Sequence, residues 1–288
     1  NRILEELFSL MRIPSVSAHQ HRQPELMQCA QRWKELLLAA GADQAEVMPT
    51  KGNPVVFARK TIDPAKPTVL VYGHYDVMPA EPLDLWNSPA FEPEIRDGKI
   101  YARGADDDKG QSFMHLKAFE YLVATHQLGC NVKFLIEGEE EIGSVNLEAF
   151  CEEHKAMLER DTILVSDTSM LGADTPSITT GLRGLAYWQL EVTAANRDLH
   201  SGIFGGAVAN PINDLAKLLA QLTDKDGKIT IPGFYDAVQE VSETERALIA
   251  QIPFSEDNYK QNLGITEVFG EKGYSTLERT GIRPTLDI

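Results

Sequence analysis

Residues 67–76 read PTVLVYGHYD: a Val-rich run opened by proline and closed by glycine, which leads directly into His74, Tyr75 and Asp76. β-Branched and aromatic residues between such breakers predict a strand. Two later apolar runs likewise lead into acidic residues. Residues 131–138 (NVKFLIEG) run into Glu139, Glu140 and Glu141, and residues 161–166 (DTILVS) run into Asp167. Between these runs, apolar residues recur at three- and four-residue spacing in residues 112–126 (SFMHLKAFEYLVATH) and 146–159 (NLEAFCEEHKAMLE), which predicts helices. The same helical spacing marks residues 3–11 and 24–41 upstream, and residues 53–60 (NPVVFARK) read as another strand. Strand and helix therefore alternate, which predicts an α/β layer fold with a mostly parallel sheet flanked by helices.

Beyond residue 178 the texture changes. Residues 181–195 (GLRGLAYWQLEVTAA) alternate like a long strand, residues 196–211 form a glycine-rich loop around His200, and a helix opens at Pro211. A further helical stretch covers residues 242–251. We place a catalytic-type domain over residues 1–178 and a smaller α+β domain over 179–288.

Composition narrows the function classes. Forty-three acids against 27 bases give a formal charge of -16, the wrong sign for nucleic acid or an anionic membrane surface. No apolar run approaches the roughly 18 residues that a bilayer-spanning helix needs. Cys29, Cys130 and Cys151 are odd in number and lack CxxC spacing, so they read as reduced thiols in a cytoplasmic protein. The chain begins inside a helical pattern and stops at RPTLDI, and both ends read as cuts in a longer protein.

In an open α/β sheet, ligands gather beyond the carboxyl ends of the strands, which is where His74, Asp76, Glu139–Glu141 and Asp167 fall. In extended backbone, residues i and i+2 share a side, so Asp76 can orient the ring of His74. Taken alone, that pair reads first as a strand-end histidine hydrogen-bonded in a core, and only second as a metal ligand with its orienting acid. The run RGADDDKGQ (residues 103–111) places Asp106, Asp107 and Asp108 before a helix, where capping alone accounts for them. The glutamate triplet has a similar plain reading as a solvated turn. Together, one imidazole and several carboxylates make an N/O set suited to zinc or manganese. Two ions about 3.5–4 Å apart would need a bridging carboxylate, and another carboxylate would serve as general base. GxSxG and GxxxxGK[ST] motifs are absent, which removes support for a serine-hydrolase elbow or a P-loop.

The segments GHYDVMPAEPLDLWNSPAFEP, GKIYARGADDDKGQ, GEEEIGS, SDTSML and RDLHSG, in that order, resemble the M20 family of metallopeptidases, near its dipeptidase and carnosinase-like branch. The resemblance implies a zinc-peptidase type of fold with a lid and dimerisation domain, here incomplete at the C-terminus. It implies two divalent ions, zinc first, with Mn2+ or Co2+ suited to the same ligands. By this resemblance His74, Asp107, Glu141 and Asp167 are metal ligands, with Asp107 bridging and Asp106 and Asp108 outside the ligand set. Glu140 is the general acid/base, Asp76 orients His74, and His200 reaches the active site of the second subunit of a homodimer to stabilise an oxyanion. An aspartate at position 167 goes with peptidases that act on free amino termini, so the expected substrate is a dipeptide. Deacylation of N-acyl amino acids at the same site and a non-catalytic metal-binding or dimerisation fragment are the alternatives. One feature of the family has no counterpart: the seven histidines end at His200, so the late histidine ligand is missing.

Overall fold

The two-residue period of the strands explains how one sheet carries side chains into two separate layers. In the computed structural model, which describes residues 1–172 and 175–288, the chain divides into two units, Asn1–Thr168 and Ser169–Ile288. The boundary read from the sequence, near residue 178, lies a little beyond this division.

The first unit contains α1 (Arg2–Met11), α2 (Gln23–Ala39), β1 (Gln44–Met48), β2 (Val55–Lys60), β3 (Thr68–His74), β4 (Glu94–Arg96), β5 (Lys99–Tyr101), α3 (Lys109–Ala124), β6 (Asn131–Glu137), α4 (Leu147–Glu153) and β7 (Thr162–Val165). Five strands form a sheet in the order β1-β2-β6-β3-β7, and β4 pairs with β5 as a separate hairpin. The sheet is mixed. Strands β6, β3 and β7 run parallel, whereas β1 and β2 join antiparallel on the far side of β6. The parallel part carries the three strand ends singled out by sequence. Its register sets His74 opposite Glu137 and Tyr72 opposite Val165.

Alternate residues feed opposite faces. Val56 and Ala58 of β2, Val71 of β3 and Phe134 and Ile136 of β6 join one core with Trp33 and Leu37 of α2 and Phe113 and Leu116 of α3. Their neighbours Val55, Phe57, Leu70 and Leu135 point the other way, into a second core with Phe150 of α4 and Leu158. Burying a side chain of this size contributes about 1.5–3 kcal/mol, so the central strands are held from both faces.

Helix α3 approaches β3 closely enough to require glycine at position 73. A Cβ there would stand 1.8 Å from Ser112 Oγ and 2.7 Å from Asp108 Oδ2. The start of α3 is also tied to α1: the fully buried Lys109 donates to the carbonyls of Leu10 (3.0 Å) and Ile13 (2.7 Å).

The second unit contains α5 (Ser201–Phe204), α6 (Pro211–Leu219), α7 (Glu243–Ile249), α8 (Glu256–Leu263) and α9 (Thr276–Gly281). Its helices start on side-chain caps from Asn210, Ser242, Ser255 and Ser275, the second and fourth completed as capping boxes by Glu245 and Glu278. Arg283 pairs with Glu271 at 2.9 Å and stacks on Tyr274. Residues 181–195, expected as a strand, form none. Among the described residues this unit has no strand to pair with it, and Leu185, Tyr187 and Trp188 stand 86–91% exposed. Alternation selects a face, but a ladder partner is needed to make a strand.

Candidate metal centre

His74 closes β3 and is completely buried. Its Nδ1 lies 3.0 Å from the backbone oxygen of Asp76 and 3.3 Å from Asp76 Oδ1. That pairing turns Nε2 toward the strand ends, 3.1 Å from Asp107 Oδ1, 3.6 Å from Asp167 Oδ2 and 3.9 Å from Glu140 Oε2. Asp107 comes from the loop entering α3, Asp167 from just beyond β7 and Glu140 from the turn after β6. The Asp76 carboxylate also accepts the backbone N–H groups of Glu140 (3.2 Å) and Glu141 (3.1 Å). One acid thus fastens both the imidazole and the turn that carries the glutamates.

The runs of like charge resolve into different jobs. Asp106 and Asp107 are exposed, whereas Asp108 is buried behind them. Asp108 accepts the backbone N–H of His74 at 3.1 Å and the hydroxyl of Ser112. Burial pushes its carboxyl up to about 6, against the opposing pull of those two donors. Glu139 is likewise buried and accepts the backbone N–H of Asn53 (2.9 Å) and both the backbone and side-chain amides of Asn146 (3.2 and 2.8 Å). It pins the turn, leaving Glu140 and Glu141 to face outward. Glu141 accepts the backbone N–H of Met78 at 3.0 Å. Neither Asp108 nor Glu139 stands out in the sequence, because a triplet of identical residues gives no sign of which member turns inward.

The electrostatics are those of a crowded acid cluster. Burial raises the carboxyls of Glu140 and Asp167, and Glu141 is pushed up to about 7, by burial first and then by the charge of Asp107. For His74 burial would lower the value, but Asp76 and the surrounding acids outweigh it and push the imidazole up to about 10. A positive charge is what the cluster calls for.

The donor set fits a divalent ion. One atom each of His74, Asp107 and Asp167 lie within 4.8 Å of one another, the one such group of metal-ligating residues among the described residues. One imidazole nitrogen and two carboxylate oxygens suit zinc, manganese or cobalt and leave positions open. Glu141 is outside this group. His200 belongs to the second unit, is exposed, and caps α5 by accepting the backbone N–H of Gly202 on Nδ1 at 3.0 Å.

The three cysteines are free, Cys29 buried and the others half-buried. Among the described residues no helix is long and apolar enough to cross a membrane.

The profile of the family described as Peptidase family M20/M25/M40 matches residues 70–273. The chain is 36% identical over 238 residues to the Beta-Ala-His dipeptidase of Rattus norvegicus, covering 82% of this chain and 48% of that protein. It is 37% identical over 274 residues to the Cys-Gly metallodipeptidase DUG1 of Candida albicans, covering 88% and 56%. Among solved structures, human carnosine dipeptidase 1 superposes with a TM-score of 0.80 at 33% identity, over 93% of this chain and 59% of that one. The M20 family metallo-carboxypeptidase Sso-CP2 from Sulfolobus solfataricus gives 0.77 at 36% identity, over 96% and 62%. The chain spans about half the length of the relatives it matches. A sheet whose parallel strand ends deliver an imidazole and carboxylates to one point, and a profile match over more than half of its residues, show that the chain belongs to peptidase family M20/M25/M40.

Proposed function

We propose that this chain carries the metal-binding and acid/base residues of a metal-dependent dipeptidase. The observation that carries the reading is the convergence of His74, Asp107 and Asp167 on one point, with Glu140 3.9 Å from His74 Nε2. His74, Asp107 and Asp167 would hold one ion, and Asp107 with Glu141 would supply this chain's share of a second. Zinc is the first candidate, with manganese or cobalt suited to the same donors. When bound, such ions supply Lewis-acid activation of the scissile carbonyl and of the attacking water.

The residues of the chain do the remaining work. Glu140 takes a proton from the water at its carboxylate and returns it to the leaving amine. A carboxyl raised above its ordinary value by burial and by neighbouring acids is suited to both transfers near neutral pH. Asp76 holds the His74 ring through Nδ1 and keeps Glu140 in range through its backbone N–H. In His200, Nδ1 accepts a hydrogen bond, so a neutral ring carries its proton on Nε2 and can donate to an oxyanion. We assign that donation to His200 of a second copy in a homodimer, in a cytoplasmic setting.

Relatives named Beta-Ala-His dipeptidase and Cys-Gly metallodipeptidase support a dipeptide substrate, and by the family resemblance so does aspartate at position 167. The metallo-carboxypeptidase at 36% identity supports a second reading, removal of C-terminal residues from longer peptides. The test is metal quantification with a panel of dipeptides, longer peptides and N-acyl amino acids. Dipeptide turnover that falls about 10²- to 10⁴-fold in Glu140→Gln, with metal content unchanged, is the expected result. Undiminished turnover in that variant would remove the acid/base role, and turnover confined to acylated amino acids would make the protein a deacylase.

A further inference from the structure

Within the His74/Asp107/Asp167 group, Asp167 sits on a less firmly held strand end than His74. His74 ends a central strand paired on both sides, but Asp167 follows β7, an edge strand with one ladder and four exposed residues. Exposure continues at Ser169 and Met170. Only Ser166, Asp167 and Thr168 are half-buried in this stretch. They form a tight turn in which the N–H of Thr168 donates to the carbonyl of Ser166 at 2.8 Å, with Asp167 at its apex.

Two side chains of α3 grip the two shoulders of that turn. His115 Nε2 lies 2.5 Å from Ser166 Oγ, and Gln111 Oε1 accepts the N–H of Thr168 at 3.4 Å. Gln111 and His115 are four residues apart and so share a face of the helix. Asp107 enters the same helix, and Asp108 at its start holds the backbone of His74. Helix α3 is thus the one element joined to all three members of the group.

We propose that Gln111 and His115 are positioning residues for Asp167, holding its carboxylate in reach of His74 Nε2 and Asp107 and so setting the affinity of that group for a divalent ion. This rests on the metal reading above. The shorter contact belongs to His115, which therefore contributes more. Burial lowers the basicity of His115 and favours the neutral ring, which a neutral amide of similar reach can replace.

The experiment is Zn2+ titration of the 288-residue chain against a chromophoric chelator, with far-UV circular dichroism and urea midpoints on each variant. His115→Ala should weaken Zn2+ binding about 10- to 100-fold, the range seen when partners of metal ligands are removed. Gln111→Ala should weaken it less, and His115→Gln should restore most of the loss. Wild-type affinity in His115→Ala, beside an affinity lost in Asp167→Ala, overturns the positioning role and leaves the ligand assignment standing. Equal losses in His115→Ala and His115→Gln also overturn it, since bulk disturbance then suffices. Wild-type affinity in Asp167→Ala removes the ligand assignment itself, and the positioning role with it.

Discussion

Two alternating apolar segments in this chain meet opposite fates. Residues 131–137 become β6, paired on both sides, with Phe134 and Ile136 in one core and Leu135 in the other. Residues 181–195 alternate as well, yet Leu185, Tyr187 and Trp188 face solvent and no ladder forms. The contrast extends to the units as wholes. The first is held by apolar layers on both faces of a sheet, whereas the second is held by helix caps and by the Arg283–Glu271–Tyr274 cluster. Its described interior includes Ile229 and three buried polar residues, Thr276, Glu278 and Arg283. Periodicity says which side of a segment is apolar, and only non-local pairing turns that into stability.

The largest expected effect concerns the site. Asp107→Ala in the first unit should weaken Zn2+ binding by more than about 100-fold, because it removes a proposed ligand rather than a ligand's partner. His200→Ala in the second unit should leave the metal content of the same chain unchanged. Dialysis followed by elemental analysis checks both, and a metal loss in His200→Ala would mean that His200 takes part in holding the ion. Next in size is packing. Phe134→Ala should cost about 3–5 kcal/mol of unfolding free energy, whereas Trp188→Ala, at 86% exposure, should stay within about 0.5 kcal/mol. Urea denaturation of both variants decides it. Comparable losses would show that the exposed face of the second unit is covered in solution.

The smallest effect lies between α1 and α3, where Lys117 pairs with Glu6 and Glu120, and Arg2 bridges the same two acids. Burial alone would raise both carboxyls, but hydrogen bonds from Lys117 and Arg2 hold them below their ordinary 4.5. Their contribution is therefore present above pH 4.5 and is lost as pH falls through the lowered folded-state values. Lys117→Met should cost up to about 1 kcal/mol at neutral pH, with the gap to wild type narrowing in acid. A gap that stays constant from pH 7 to pH 3 would exclude the ionic contribution.

Much of the first unit is legible in the sequence. Val-rich runs bounded by proline and glycine correspond to β2 and β3, the apolar run 131–138 corresponds to β6, and helical spacing corresponds to α1, α2 and α3. The three strand ends point to the candidate site for a general reason, that parallel strands deliver their C-terminal extensions to one edge. β1 escapes notice because Gln44, Glu46 and the half-exposed residues of an edge strand blur the alternation. The β4–β5 hairpin has strands too short to show any period, although its Asp97-Gly98 turn, with positive φ at both residues, is a recognised two-residue signal. Glu139 and Asp108 are hidden inside charged triplets. The grip of Gln111 and His115 on the Asp167 turn joins residues some fifty positions apart, a relation no local pattern contains.

The carboxylate of Asp76 reaches the ring of His74 through one oxygen and the backbone of both Glu140 and Glu141 through its two oxygens. The proposed ligand His74 and the proposed proton carrier Glu140 therefore share one support. In a thermodynamic cycle, substitutions at Asp76 and Glu140 would fail to add, because the first already displaces the group that the second removes. An arrangement built this way should tolerate change at its rim far better than at Asp76, the one acid that joins the imidazole to the glutamate turn.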